Sequence, residues 1–181
     1  MRNLMIVTLL IVFGGLFAES MFDMTMSEIS KDYIGVQKIL AADKTEGVND
    51  LAGKMLTKID QLDAKNATGE HASKYADMPK QLKSSALNLK KAKNIKSMRT
   101  AFGDMSKPMA MWTSLNKPAD TYVVYCPMAK KSWLQDSDEV ANPYYGSAMS
   151  ECGEIVSSPA NAKMMDHETD MKMDHSEMND H

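Results

Sequence analysis

The sequence predicts a mainly α-helical protein: an antiparallel four-helix bundle, then a short extended strap, then a disordered tail. In residues 19–117, apolar side chains recur at spacings of three and four, and short polar segments divide them into four runs. After Pro118 the pattern changes, because β-branched and aromatic residues gather in "TYVVYC". The apolar content of 44% suits one hydrophobic core. We therefore expect a single helical body that ends in a strap over residues 118–156.

Residues 1–18 have the organisation of a secretory signal peptide. Arg2 precedes the apolar run "LMIVTLLIVFGGLF", which ends in "LFA" before Glu19. This run is shorter than the ~20 residues that a membrane span needs. We expect a mature chain in the periplasm or outside the cell, with no membrane span. An uncleaved N-terminal anchor is the alternative, because Leu16 stands where signal peptidases prefer a small residue.

The first three helices are predicted from apolar stripes and end signals. Ser27 and Ser30 offer start signals for a first helix that ends near Ala42. The second lies between "TEG" and "KNATG", and the third has Asp77 as a possible cap and Pro79 in its first turn. The three stripes are Ile29, Tyr33, Val36 and Leu40; Val48, Leu51, Met55, Ile59 and Leu62; and Leu82, Ala86 and Leu89.

The fourth helix has the most regular stripe, and Asn94 is its predicted cap. Gly103 and Pro108 are expected to bend or split it. The methionines of the stripe fall on the face that must be buried, so we interpret them as core residues rather than metal ligands. The stripe consists of Ile95, Met98, Phe102, Met105, Met109 and Trp112.

The strap contains both cysteines of the chain. Its "NPYYG" is a turn signal, and "SAMSECGE" is compatible with one helical turn. We expect Trp133, Tyr144 and Tyr145 to cover one end of the helices. Cys126 with Met128, and Met149 with Cys152, each pair one thiol with one thioether.

These residues resemble a family of small secreted or periplasmic domains of uncharacterised function. Its members occur alone or joined to the adaptor subunits of copper and silver efflux systems, so the resemblance implies a metal-stress context and no known reaction. Lys130 and Lys131 depart from it, since many relatives have an acidic or glycine-containing segment there. The matching residues are Cys126, Pro127, Met128, Trp133, Asn142, Pro143, Tyr144, Tyr145, Gly146, Met149, Cys152 and Gly153.

The residues themselves leave two interpretations of the cysteines open. Thiolate and thioether donors select Cu(I) or Ag(I), which predicts a soft-metal site at Cys126, Met128, Met149 and Cys152. A disulfide between the two cysteines would instead stabilise the fold by about 3–4 kcal/mol in an oxidising compartment. A catalytic thiol is disfavoured, because neither cysteine belongs to a Cys-x-x-Cys motif.

Residues 157–181 form the predicted disordered tail, and its composition indicates metal binding. Residues 164–181 hold five methionines, three histidines and six acidic residues. Such a segment cannot bury a core, whereas thioether, imidazole and carboxylate groups suit copper in both oxidation states. The candidate ligands are Met165, His167, Met171, Met173, His175, Met178 and His181.

Together these features predict a periplasmic or secreted copper-binding protein, not an enzyme. Cu(I) is the favoured ion and silver the second. The protein would buffer metal or deliver it to an efflux adaptor or resistance protein. The alternative is a disulfide-strapped interaction module that docks on such an adaptor without a metal role for the folded part. Residues 19–163 have a net charge near +1, which predicts no nucleic-acid binding.

Overall fold

The computed structural model describes residues 20–159. Four helices account for about half of this part of the chain, and a three-stranded antiparallel sheet lies at its C-terminal end. The helices are α1 Met21–Ala41, α2 Val48–Ile59, α3 Met78–Lys91 and α4 Ile95–Asn116. The strands are β1 Tyr122–Cys126, β2 Lys131–Gln135 and β3 Glu154–Ser157. Short 3-10 turns lie at Ala64–Asn66, Ala72–Tyr75 and Gly146–Met149.

The predicted apolar stripes form the core between the helices. Each helix packs against the next in the chain, and α4 and α1 also pack against β2. Met98, Met105 and Met109 are buried, which confirms them as core residues. Leu51 is only half-buried, while the other stripe residues of the first three helices are buried.

Three details of the helices differ from the sequence-based expectation. Helix α1 begins at Met21 rather than near Ser27, because the Ser20 hydroxyl accepts a hydrogen bond from the Asp23 amide at 3.1 Å and caps the helix earlier. Asp77 precedes α3 as expected, but its side chain makes no capping hydrogen bond. Helix α4 continues through Gly103 and Pro108. Because both residues are buried in the core, packing keeps α4 continuous despite the proline.

The C-terminal segment is more regular than the single extended stretch that the sequence predicts. Strand β1 lies in the centre of the sheet and pairs antiparallel with both β2 and β3. In this register Val124 is opposite Trp133, and Cys126 is opposite Lys131. The two added strands were missed because runs of four and five residues carry little periodic signal. The sheet places the side of β2 that contains Trp133 against the helices.

A polar contact also joins the start of α1 to the last turns of α4. The indole nitrogen of Trp112 donates a hydrogen bond to Asp23 Oδ1 at 2.8 Å.

Among residues 20–159, none of the helices has the length and apolar character required to cross a membrane.

The N-terminal cap of α4 gives a test of the fold. Asn94 Oδ1 accepts a hydrogen bond from the Ser97 amide at 2.9 Å, and Ser97 Oγ accepts one from the Asn94 amide at 3.3 Å. Asn94→Ala removes the first bond, so we expect the free energy of unfolding in urea to fall by about 1 kcal/mol. Asn88→Ala, an exposed site within α3, is the control. Equal stability of both variants would contradict the capping role.

Candidate functional site

The two cysteines lie against each other at the end of the sheet. Cys126 is the last residue of β1 and is fully buried, whereas Cys152 follows the 3-10 turn at Gly146–Met149 and is half-buried. Both are free thiols, and their sulfur atoms are 2.9 Å apart. A disulfide needs about 2.05 Å between the sulfurs. Small side-chain movements therefore suffice either to join the sulfurs or to open them around an ion.

The surroundings of the pair make the two thiols unequal. Burial acts to raise the pKa of Cys126, but hydrogen bonds from the Cys152 thiol and from the amides of Ala129 and Met128 outweigh it, so this pKa is lowered. The pKa of Cys152 is raised by its hydrogen bond to Cys126, by burial and by the charge on Cys126. The inner sulfur is therefore the first of the two to lose its proton as the pH rises.

The methionines of the predicted site stand on the two loops that surround the thiols. Met128 lies in the turn between β1 and β2, where its side chain is 63% exposed and its amide faces both sulfurs. Met149 is half-buried, and its carbonyl accepts a hydrogen bond from the Cys152 amide at 3.2 Å. The structure therefore brings the cysteines together and places both methionines on neighbouring backbone.

The remaining predicted ligands fall outside the described residues. They are Met165, His167, Met171, Met173, His175, Met178 and His181, and the predicted signal peptide also lies outside. From Ser20 to Pro159, no group of three or more His, Cys, Asp and Glu side chains is arranged to hold a metal ion.

Asn142 holds the loop that carries Cys152. Its side chain is fully buried, and Nδ2 donates a hydrogen bond to the Cys152 carbonyl at 2.7 Å. Its Oδ1 accepts bonds from the amides of Tyr144 at 2.8 Å and Tyr145 at 3.3 Å. The asparagine of "NPYYG" thus connects the start of the loop to its end by hydrogen bonds. These bonds fix the position of Cys152 relative to Cys126.

A second set of polar contacts fastens the same loop to the helices. Arg99 of α4 donates to the Pro143 carbonyl at 2.8 Å, to the Leu40 carbonyl at 3.0 Å and to Asp43 Oδ1 at 2.7 Å. Asp43 also accepts hydrogen bonds from the Ser147 amide at 2.9 Å and hydroxyl at 2.6 Å. The Ser147 hydroxyl and amide, followed by Arg99, lower the pKa of Asp43 to about 2. Sequence reasoning missed Arg99 and Asp43, since neither belongs to a local motif.

Trp133 and Gly153 pack together beneath the loop. Trp133 is fully buried, and its indole nitrogen donates to Gln135 Oε1 at 2.9 Å. A Cβ on Gly153 would lie 2.6 Å from the Trp133 ring, so only glycine permits this close approach. Tyr144 meets the Trp133 ring edge-on, with 5.9 Å between centroids. The tryptophan and glycine of the motif are therefore packing partners.

Two tyrosines, the fully buried Tyr33 and the half-buried Tyr144, connect the loop to α1 and α4. The Tyr33 hydroxyl lies 2.6 Å from Ser106 Oγ, and the Tyr144 hydroxyl lies 3.0 Å from the same atom. Tyr144 also donates to the Ser132 carbonyl at 2.5 Å. Burial raises the pKa of both tyrosines, so both hydroxyls stay protonated at neutral pH. The Phe102 ring stacks on the Tyr33 ring, with 4.6 Å between the ring centroids.

Comparison with known proteins gives one match. A family model described as a protein of unknown function (DUF3347) matches residues 29–121, slightly more than half of the chain. The matched segment covers most of α1 and all of α2, α3 and α4, and it ends before β1. No curated protein matches, and no solved structure matches.

Gly146 provides a test of how the loop is fastened. Its φ is +57°, and a Cβ there would lie 2.1 Å from Asp43 Oδ1. Gly146→Ala should therefore lower the free energy of unfolding by about 2–4 kcal/mol, through backbone strain and displacement of Asp43. Gly69→Ala is the matched control, because Gly69 has φ +86° but open space around it. A similar loss in both variants, measured by urea unfolding, would mean that the contact with Asp43 has no stabilising role.

Proposed function

We propose that this chain, which belongs to the DUF3347 family of proteins of unknown function, binds copper outside the cytoplasm. Cu(I) is the favoured ion and silver the second, and the protein acts as a metal buffer or delivery partner in heavy-metal efflux or resistance. The observation that supports this most directly is the thiol pair, with 2.9 Å between the sulfurs of Cys126 and Cys152. The proposed role is binding rather than catalysis.

The chemistry of the pair fits a soft monovalent ion. Thiolate and thioether ligands favour Cu(I), and thiols must lose their protons to bind it. The lowered pKa of Cys126 favours loss of its proton, and the half-buried Cys152 provides access from solvent. Met128 and Met149 stand on adjacent loops and are the candidate additional ligands. In this proposal, metal enters past Met128, and each thiol that binds it releases its proton to solvent.

The tail contributes further sites in this proposal. Its methionines and histidines lie in 18 residues that also hold six carboxylates. Thioethers bind Cu(I) without forming disulfides, while imidazole and carboxylate accept Cu(II). We assign weak, separate sites to Met165, His167, Met171, Met173, His175, Met178 and His181.

The helices serve as a rigid support for the thiol pair. We propose that they form an antiparallel four-helix bundle, because consecutive helices pack on one another and the connections from α1 to α2 and from α3 to α4 are short. Strand β2 lies on α4 and α1, so the loops that hold the cysteines stand on this support. Rigid secondary structure positions ligands more accurately than free loops do.

The same sulfur geometry supports a second candidate function. A disulfide between Cys126 and Cys152 would make the C-terminal segment a structural strap, and the protein would then be an interaction module that docks on an efflux adaptor. Cu(I) binding by reduced protein that lacks the tail would support the copper proposal. Adaptor binding by oxidised, metal-free protein would support the module.

Deletion of residues 164–181 tests the sites assigned to the tail. We expect fewer copper ions per chain, measured by titration with native mass spectrometry, and an almost unchanged melting temperature, because a segment of this composition cannot bury a core. The measurement is made under reducing and oxidising conditions. Equal copper stoichiometry in the full-length and shortened chains would exclude metal binding by the tail.

Replacement of the two thioethers tests the folded site. Met128→Leu and Met149→Leu together preserve side-chain size and leave any disulfide intact. Under reducing conditions, we expect Cu(I) affinity in competition with a chromophoric chelator to fall about tenfold or more, because ligand-shell changes have effects of this order. Met111→Leu is the control, since Met111 is exposed on α4. Unchanged affinity in the double variant would exclude both thioethers as ligands of the folded site.

A further inference from the structure

A continuous groove runs between α3 and α4, on a part of the surface that is not used by the thiol pair. Its first section has a volume of about 480 Å³ and its second about 520 Å³. Asn88 and Asp104 line both sections, so the two join end to end. The walls are formed mainly by lysines and by serine, threonine and amide side chains. A groove of this composition suits an extended, charged chain rather than an apolar ligand.

The groove has a surplus of positive charge. Lys80 and Lys107 line the first section, and Lys91 and Lys96 line the second. The ion pairs within residues 20–159 involve none of these four lysines. The acidic residues that face the same space are Asp77 and Asp104. Four lysines against two aspartates give the lining of the groove a net charge of +2.

The surrounding sequence strengthens this charge. Residues 74–107 contain nine basic and two acidic residues, a net charge of +7. The second section also includes Asn94 and Ser97 of the first turn of α4, a helix of 22 residues without an acidic residue in that turn. The positive end of the helix dipole lies there and favours an anion. The groove lysines and the helix dipole of α4 thus both favour a negatively charged ligand.

An acidic segment of suitable length exists in the same chain. Residues 164–181 contain six acidic residues and one lysine, a net charge of −5. The described part ends at Pro159, so 22 residues follow it, with a reach of roughly 70 Å when extended. A folded part of this size has a radius of gyration of about 14 Å. The later carboxylates of the segment, Asp174, Glu177 and Asp180, are therefore within reach of the groove from β3.

We propose that the acidic C-terminal segment, residues 164–181, docks in the lysine-lined groove between α3 and α4. Carboxylates of the segment pair with Lys80, Lys91, Lys96 and Lys107, and the serine and amide side chains of the groove supply hydrogen bonds. The occupant is this chain's own tail, which is held at a high local concentration by its covalent link. The docking requires no metal, so it stands apart from the copper proposal.

Zero-length cross-linking of the full chain tests the docking. A water-soluble carbodiimide joins carboxylates to amines that are in contact, and mass spectrometry locates the links; a metal chelator is present throughout. We expect links from the tail to the groove lysines to exceed links to Lys44, Lys65 and Lys130 by about fivefold. In 1 M salt the preference should disappear, because the screening length falls to about 3 Å. An even spread of links over all lysines would overturn the proposal. Links between two chains would overturn it as well, and would assign the groove to a second copy.

Charge reversal on the groove supplies the matched comparison. In a variant with Lys80→Glu, Lys91→Glu and Lys96→Glu, links to the unsubstituted Lys107 should fall about tenfold, since each exposed pair contributes roughly a factor of two and reversal adds repulsion. Its control carries Lys44→Glu, Lys65→Glu and Lys130→Glu, which give the same change of net charge elsewhere on the surface. Equal losses in the variant and the control would show a general charge effect and refute docking in this groove.

Discussion

The arrangement of the C-terminal third depends on the buried amide of Asn142. A buried amide without partners costs several kcal/mol, so the chain is confined to conformations that satisfy it. In the observed loop, the Cys152 carbonyl accepts a hydrogen bond from Asn142 Nδ2, and Asn142 Oδ1 accepts hydrogen bonds from the amides of Tyr144 and Tyr145. Because Cys126 is fixed by β1, holding Cys152 in this loop brings the two sulfurs together. The proximity of the thiols is therefore a consequence of amide hydrogen bonding.

This local constraint would be insufficient if the loop could lift away from the helices as a unit. Arg99 prevents that, since it connects the Pro143 carbonyl to the end of α1 through Leu40 and Asp43. Gly146 allows the loop to approach Asp43 closely, and the Ser147 hydroxyl completes the contact. Tyr144 adds a hydrogen bond to Ser106 of α4. Any change in the backbone separation of Cys126 and Cys152 must therefore strain contacts that extend into the helical core, whereas the sulfur atoms can move with their side chains.

The helical part of the fold could be predicted from the sequence because each helix has its own periodic pattern of apolar residues. Stripes such as Met98, Phe102 and Met105 repeat with the helix and identify the buried face. The start of α1 was misplaced, because Ser20 and Ser27 are equally plausible caps until packing shows how far the buried face extends. The sequence identifies the cysteines as candidates through their spacing from methionines, but the distance between the two sulfurs could not be predicted. It depends on Arg99 and Asp43, which are 56 residues apart and belong to no shared pattern.

The distribution of charge on the surface is a second property that the sequence alone predicts poorly. The net charge of residues 19–163 is near +1, and this average hides a segment of +7 over residues 74–107. At physiological ionic strength, charges interact over about 8 Å, so a passing ligand responds to the local surface and not to the sum. The α3–α4 hairpin folds these basic residues onto neighbouring helices, and the ion pairs within residues 20–159 involve none of the four groove lysines. Residues 164–181 have the opposite net charge, so the proposed docking rests on a complementarity that the average over residues 19–163 does not show.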